Sequence, residues 1–116
     1  MTLPSDPRHL AVDLIGRSIC SVRVAAVLAD RHGIFSWSWN GVGSGFGEHA
    51  EAGAIRRANK RRLMGATIYT AAIRQRHRST VCVTAHPCDA CMALLRGYGV
   101  RNVMYRNKEG WHGIIV

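Results

Sequence analysis

Two short segments restrict the fold of this chain more than anything else in it: His49-Ala50-Glu51 and, further on, Pro87-Cys88-Asp89-Ala90-Cys91. Cys88 and Cys91 stand at i and i+3, so at the start of a helix both sulfurs project from one face, near the helix's positive end. That setting favours thiolates, the form in which cysteine binds zinc. His49 opens a second helix and offers a nitrogen ligand. A chain that uses all three must bring two helix starts together. Three protein ligands leave the fourth position of a tetrahedral zinc open to water, the arrangement of a catalytic rather than a structural site. Glu51, next but one to His49, is positioned to reach that water instead of the metal.

The rest of the sequence reads as the scaffold for such a pair of helices. Asp6-Pro7 looks like a helix start, with Leu10, Leu14 and Ile15 on one face and an end near residue 17. Residues 22–29 are apolar and β-rich, Asp30-Arg31-His32-Gly33 supplies a turn, and 34–39 alternate. This predicts a hairpin whose second strand has one aromatic face (Phe35, Trp37, Trp39) and one small polar face (Ser36, Ser38). Residues 40–47, with four glycines, read as a loop that lets backbone approach a ligand. A helix from residue 48 or 49 to about 62 follows, with Ala50, Ala54, Ile55 and Ala58 as its apolar stripe. Residues 67–73 are a strand candidate and 81–84 a second short extended piece. Pro87 then opens a helix through about 96, and 102–106 and 113–116 form two last strands around a tight turn. The expectation is one α/β domain over residues 1–116, a sheet with helices packed on its faces.

The H-x-E and P-C-x-x-C segments carry the signature of zinc-dependent deaminases, and the chain resembles the cytidine deaminase-like superfamily over most of its length. That resemblance implies a three-layer α/β/α fold with a mixed sheet of about five strands. It also implies one zinc per chain held by His49, Cys88 and Cys91, with Glu51 as the catalytic proton carrier. The chemistry implied is hydrolytic: water attacks C4 of cytosine or C6 of adenine, Glu51 passes protons to the ring nitrogen and the leaving amine, and ammonia departs. Trp39-Asn40 particularly looks like tRNA adenosine deaminases, which makes Asn40 a substrate-binding candidate. Ala50 and Pro87, inside the motifs, are candidates too. His86 is a further candidate for the pocket wall, with a solvent-side position as the alternative. Two departures stand out. Residues 74–85 separate the expected strand from Pro87, where the familiar pattern runs directly from strand to Pro-Cys. The tight turn at 107–110 can only return an antiparallel last strand, as in the cytidine deaminase branch.

Charge bears on the substrate. The 116 residues hold 16 Lys+Arg against 7 Asp+Glu, a net charge of +9, and all the basic residues except Lys60 and Lys108 are arginine. Between Glu51 and Asp89 there is no acidic residue, while Arg56, Arg57, Lys60, Arg61, Arg62, Arg74, Arg76 and Arg78 all fall there. A solvated helix face normally mixes signs, so phosphate contact is expected, with Arg56, Arg57, Arg74, Arg76 and Arg78 as candidates. The leading expectation is deamination of cytosine in single-stranded DNA or RNA, hence a single-stranded nucleic acid partner. The alternatives are free cytidine, deoxycytidine or dCMP, and then adenosine in RNA. A non-catalytic nucleic-acid module that keeps zinc for stability is disfavoured by Glu51. Cys20 and Cys82 lack ligand spacing and read as plain buried thiols, and the aromatic strand face as core or interface packing. No apolar run approaches the roughly 20 residues of a membrane span, and acidic residues interrupt the N-terminal region, so a cytoplasmic location is expected.

Overall fold

A computed structural model describes residues 6–41 and 48–116. Beyond Asn40 and Gly41, the expected glycine-rich loop lies outside the described residues. Asp6 caps the first helix, α1 (Pro7–Ile15), by accepting the Arg8 amide hydrogen at 2.9 Å. The chain then forms strands β1 (Val22–Asp30) and β2 (Gly33–Trp39), helix α2 (Ala50–Arg57), strands β3 (Thr67–Arg76) and β4 (Ser79–Val83), helix α3 (Asp89–Gly97), and strands β5 (Asn102–Asn107) and β6 (Gly110–Ile115).

The sheet order is β2-β1-β3-β5-β6, with β4 also on β3, so six strands form where about five were expected. β3 is the long central strand, and its outer edge is shared. Thr67–Thr70 pair with β5 in parallel, and Ala72–Arg76 pair with β4 in an antiparallel hairpin that overhangs the rest of the sheet. That hairpin is what separates the strand from Pro87. The turn at its tip holds Arg78 at φ 64, a left-handed conformation that residues with a Cβ seldom adopt. β6 returns antiparallel to β5, as the tight turn requires.

Helices cover both faces, giving the three layers expected. On one, Ala11, Leu14 and Ile15 of α1 pack on Ala25, Val27 and Ala71. On the other, Ala54, Ile55 and Leu95 close over Leu28, Ile68 and Val103, each of these larger side chains contributing about 1.5–3 kcal/mol by leaving water. The small polar face of β2 turns inward against α2: Ser36 Oγ donates to the Ala54 carbonyl at 2.7 Å. A Cβ on Gly53 would meet Ser38 Oγ at 2.5 Å, so this contact requires glycine.

Three local expectations need correction. Phe35 does not share a face with Trp37 and Trp39, because the register shifts between Leu28 and Ala29. This bulge turns Phe35 to the α2 side, where the Arg62 guanidinium lies 4.5 Å over its ring. The second helix stops at Arg57 rather than 62. Lys60 Nζ donates to the carbonyls of Ile55, Arg56 and Ala58 at 2.7, 3.0 and 2.9 Å, closing the helix end, and Lys60–Arg62 form a separate 3-10 turn. Pro87 precedes the α3 cap, Cys88, instead of opening the helix.

Candidate metal centre and its cavity

The two helix starts meet. His49 is the N-cap of α2 and Cys88 the N-cap of α3, and neither side chain caps its own helix. Such positions usually satisfy a free backbone N–H; here the side chains turn to one another instead. His49 Nδ1 lies 3.7 Å from Cys88 Sγ and 3.3 Å from Cys91 Sγ. Those lengths bracket the edge of a tetrahedral zinc site, roughly 3.6 Å for bonds of about 2.05 and 2.3 Å. All three donor atoms lie within 4.8 Å of one another, and no carboxylate joins the group among the described residues.

The donor set fits zinc on chemical grounds as well. Cys91 is buried, and burial beside the Glu51 carboxylate pushes its thiol well above the usual range. A thiolate there is costly unless a cation compensates it, and two positive helix ends together with a divalent ion do so. Two sulfurs and one imidazole nitrogen are ligands zinc favours, and His49 and Cys88 leave one side of the group exposed.

Glu51 sits in the first turn of α2, only 5% exposed, and burial raises its carboxyl above the ordinary range against the opposing pull of a backbone hydrogen bond and His49. A carboxyl so buried is biased towards its protonated form, which suits a group that takes up a proton and passes it on.

Of these groups, His49, Glu51 and Cys88 line one wall of a cavity of about 380 Å³, within the range that holds small organic ligands. Of the residues expected at the substrate, Asn40, Ala50 and His86 line it; Pro87 is buried and does not. Asn40 is firmly held: Oδ1 accepts from Val24 N at 2.9 Å and Ser18 Oγ at 2.7 Å, and Nδ2 donates to the Val22 carbonyl at 2.7 Å. Among the described residues one Nδ2 hydrogen is left over. Sequence reasoning missed Val22, Val24 and Thr84, which also line the cavity: sheet pairing brings Val22 and Val24 there, and Thr84 follows directly after β4. Cys20, read as a plain buried thiol, lines it too, whereas Cys82 sits on β4 away from it.

The segment carrying the cysteines is anchored from below. Thr70 Oγ donates to the Ala85 carbonyl at 2.8 Å, and Ala85 N donates to the Arg106 carbonyl at 2.9 Å. Both bonds hold the chain immediately before Pro87 against β3 and β5.

The basic interval divides in space. Val22 pairs with Arg74 at the cavity end of the sheet, so Arg74 and, two residues on, Arg76 share the face of Val22 and Val24. Both are exposed, as is Arg78 at the hairpin tip. Ala29 pairs with Thr67 at the opposite end, where Arg62 binds Asp30 through two contacts of 2.7 and 2.8 Å. Arg57 is exposed at the α2 terminus remote from His49. Arg56 reaches back along α2 to Glu48, with contacts of 3.0 and 3.1 Å.

No helix among the described residues is long and apolar enough to cross a membrane. No curated protein matches the chain. The family model for the cytidine and deoxycytidylate deaminase zinc-binding region matches residues 8–107, and it agrees with the geometry of the two helix starts. The chain therefore belongs to the cytidine and deoxycytidylate deaminase zinc-binding family.

Proposed function

We propose that this deaminase-family protein converts cytosine to uracil in single-stranded DNA or RNA. The observation that carries the reading is the overhanging β3–β4 hairpin, which brings Arg74 and Arg76 to the cavity side of the sheet, with Arg78 at its tip. Arginines so disposed suit a phosphate backbone while one base enters the cavity. The left-handed backbone at Arg78 adds support, since glycine would occupy it without strain.

In this reading His49, Cys88 and Cys91 hold zinc, which when bound supplies a water acidic enough to react at neutral pH. Glu51 accepts one proton from that water and gives it to the ring nitrogen, then takes the second from the new C4 hydroxyl and gives it to the departing amine. Water thereby adds at C4 and ammonia leaves. The spare Nδ2 hydrogen of Asn40 offers a fixed donor to the nucleoside, and Ala50 and His86 bound the pocket. Pro87 acts from beneath, fixing the entry to α3. The setting is taken as cytoplasmic, where the four cysteines, all free, stay reduced.

A second reading, deamination of free cytidine, deoxycytidine or dCMP, is favoured by the family's own description and by the antiparallel β6. One incubation separates the two. The zinc-loaded protein is given cytidine, dCMP and mixed-sequence single-stranded DNA and RNA; the polymers are sequenced and the small molecules chromatographed. Cytosine-to-uracil changes in a polymer are expected. Uridine or dUMP as the sole product would establish the second reading, and adenosine-to-inosine changes in RNA would overturn both.

A further inference from the structure

The connection that ends in Cys88 carries His86, whose side chain is exposed and lines the cavity. Its ring meets Tyr105 of β5 edge-on, with centroids 5.0 Å apart and planes at 66°. Tyr105 pairs across the ladder with His112 of β6, so their rings lie on one face of the sheet, 5.6 Å apart and within 30° of parallel. Three rings thus run in a row from the cavity wall across β5 to β6.

Both imidazoles are fixed in orientation by hydrogen bonds to acceptors. His86 Nδ1 donates to the Pro87 carbonyl at 2.8 Å. His112 Nε2 donates to Asn107 Oδ1 at 2.9 Å, an oxygen that also accepts the Glu109 amide hydrogen at 2.8 Å. Tyr105 is held between them and packs partly on the core. Rings already ordered in the free protein lose little freedom when a ligand stacks on them. Close packing alone would be met by aliphatic side chains; these three rings instead have polar edges, and His86 stands exposed at the cavity while Tyr105 and His112 stay half-buried. Lys108, exposed in the turn beside Asn107, adds a cation at the far end of the row.

We infer that His86, Tyr105 and His112 form a stacking track for the base that neighbours the target base in a single strand. This rests on the polynucleotide reading, for a free nucleoside has no neighbour to stack. Every base has a flat apolar face, so such a track holds the strand with little regard to sequence, favouring purines by their larger area. The arginines of β3 would then hold backbone on one side of the cavity, and the rings a base on the other.

The test uses oligodeoxynucleotides with one cytosine whose 5′ or 3′ neighbour is either a normal base or an abasic residue. With the zinc-loaded protein, an abasic residue on one side is expected to raise KM about tenfold, within the range of one base–aromatic stack, with kcat unchanged. On the other side it is expected to change little. In His112→Ala the penalty should shrink several-fold while zinc content stays at one per chain; Tyr105→Phe, which keeps the ring, should retain it. Equal KM values for all the oligonucleotides would overturn the track and leave polynucleotide deamination standing, a result that needs no variant. A penalty that persists undiminished in His112→Ala would overturn the assignment of these residues. Turnover of free deoxycytidine with none of any oligonucleotide would overturn the polynucleotide reading and the track with it.

Discussion

The two ends of the β1–β3 ladder draw on the same residue types and use them differently. At the cavity end Val22 pairs with Arg74, and Arg74, Arg76 and Arg78 stand exposed on a hairpin with no salt-bridge partner among the described residues. At the other end Arg62 is engaged twice, by Asp30 at 2.7 Å and by the face of Phe35. Lys60 is likewise bound to the carbonyls that end α2. An arginine with a protein partner is part of the scaffold; one without is available to a ligand. The net charge of +9 therefore overstates what a polyanion would meet at the cavity, and the location of the free arginines matters more than their number.

The largest expected effect lies at the cavity end. Glu51→Ala should lower kcat for whichever substrate is turned over by about 10²–10⁴-fold, the usual contribution of a positioned proton carrier. Zinc should remain at one per chain, because Glu51 stands outside the ligand group. Metal analysis beside the rate assay checks this: loss of zinc would mean that Glu51 helps hold the ion. Asp30→Asn, at the opposite end, should leave kcat where it was.

The next effect sharpens the contrast between the arginines themselves. Arg74→Ser combined with Arg76→Ser should weaken single-strand binding and flatten its salt dependence by about 0.7 in slope for each phosphate the protein no longer neutralises. Arg57→Ser combined with Arg61→Ser, the same charge removed from the other end, should do less on both counts. Titrating a labelled oligonucleotide over a range of salt concentrations compares them. Equal losses for the two pairs would mean that bulk charge rather than the hairpin governs binding.

How much of this was legible in the sequence follows from the range of the forces involved. His49, Glu51, Cys88 and Cys91 could be read because helix starts obey local rules, and the i, i+3 spacing of two cysteines survives whatever fold surrounds it. That His49 turns Nδ1 to the two sulfurs could not, since it depends on how two helices approach across a sheet. Phe35 was assigned to the wrong face because alternation in β2 assumes an unbroken register, and the shift arises from pairing with Leu28 and Ala29 on another strand. The acid-free interval was visible as a run, yet its division between two ends of the molecule follows from β3 threading through the middle of the sheet. Val22 and Val24 carry no chemical signal at all, and they enter the cavity wall only through strand order.

The smallest effect tests the scaffold end directly. The Arg62 guanidinium, bonded twice to Asp30, holds its carboxyl well below the ordinary range, helped by the His32 amide hydrogen at 2.9 Å. A carboxyl whose folded-state pKa is depressed stabilises the fold when ionised. That contribution is present in full above its unfolded value of about 4 and is lost as pH falls below it towards the folded value. The pair is partly exposed, with side chains 17% and 34% accessible, so screening keeps its effect modest. Melting temperatures of the protein and of Asp30→Asn, followed from pH 7 downwards, should differ by a constant small gap to about pH 5 and converge below about pH 4. A gap that stays constant through the acid range would assign the difference to altered packing around Phe35 and Arg62 rather than to the charge of Asp30.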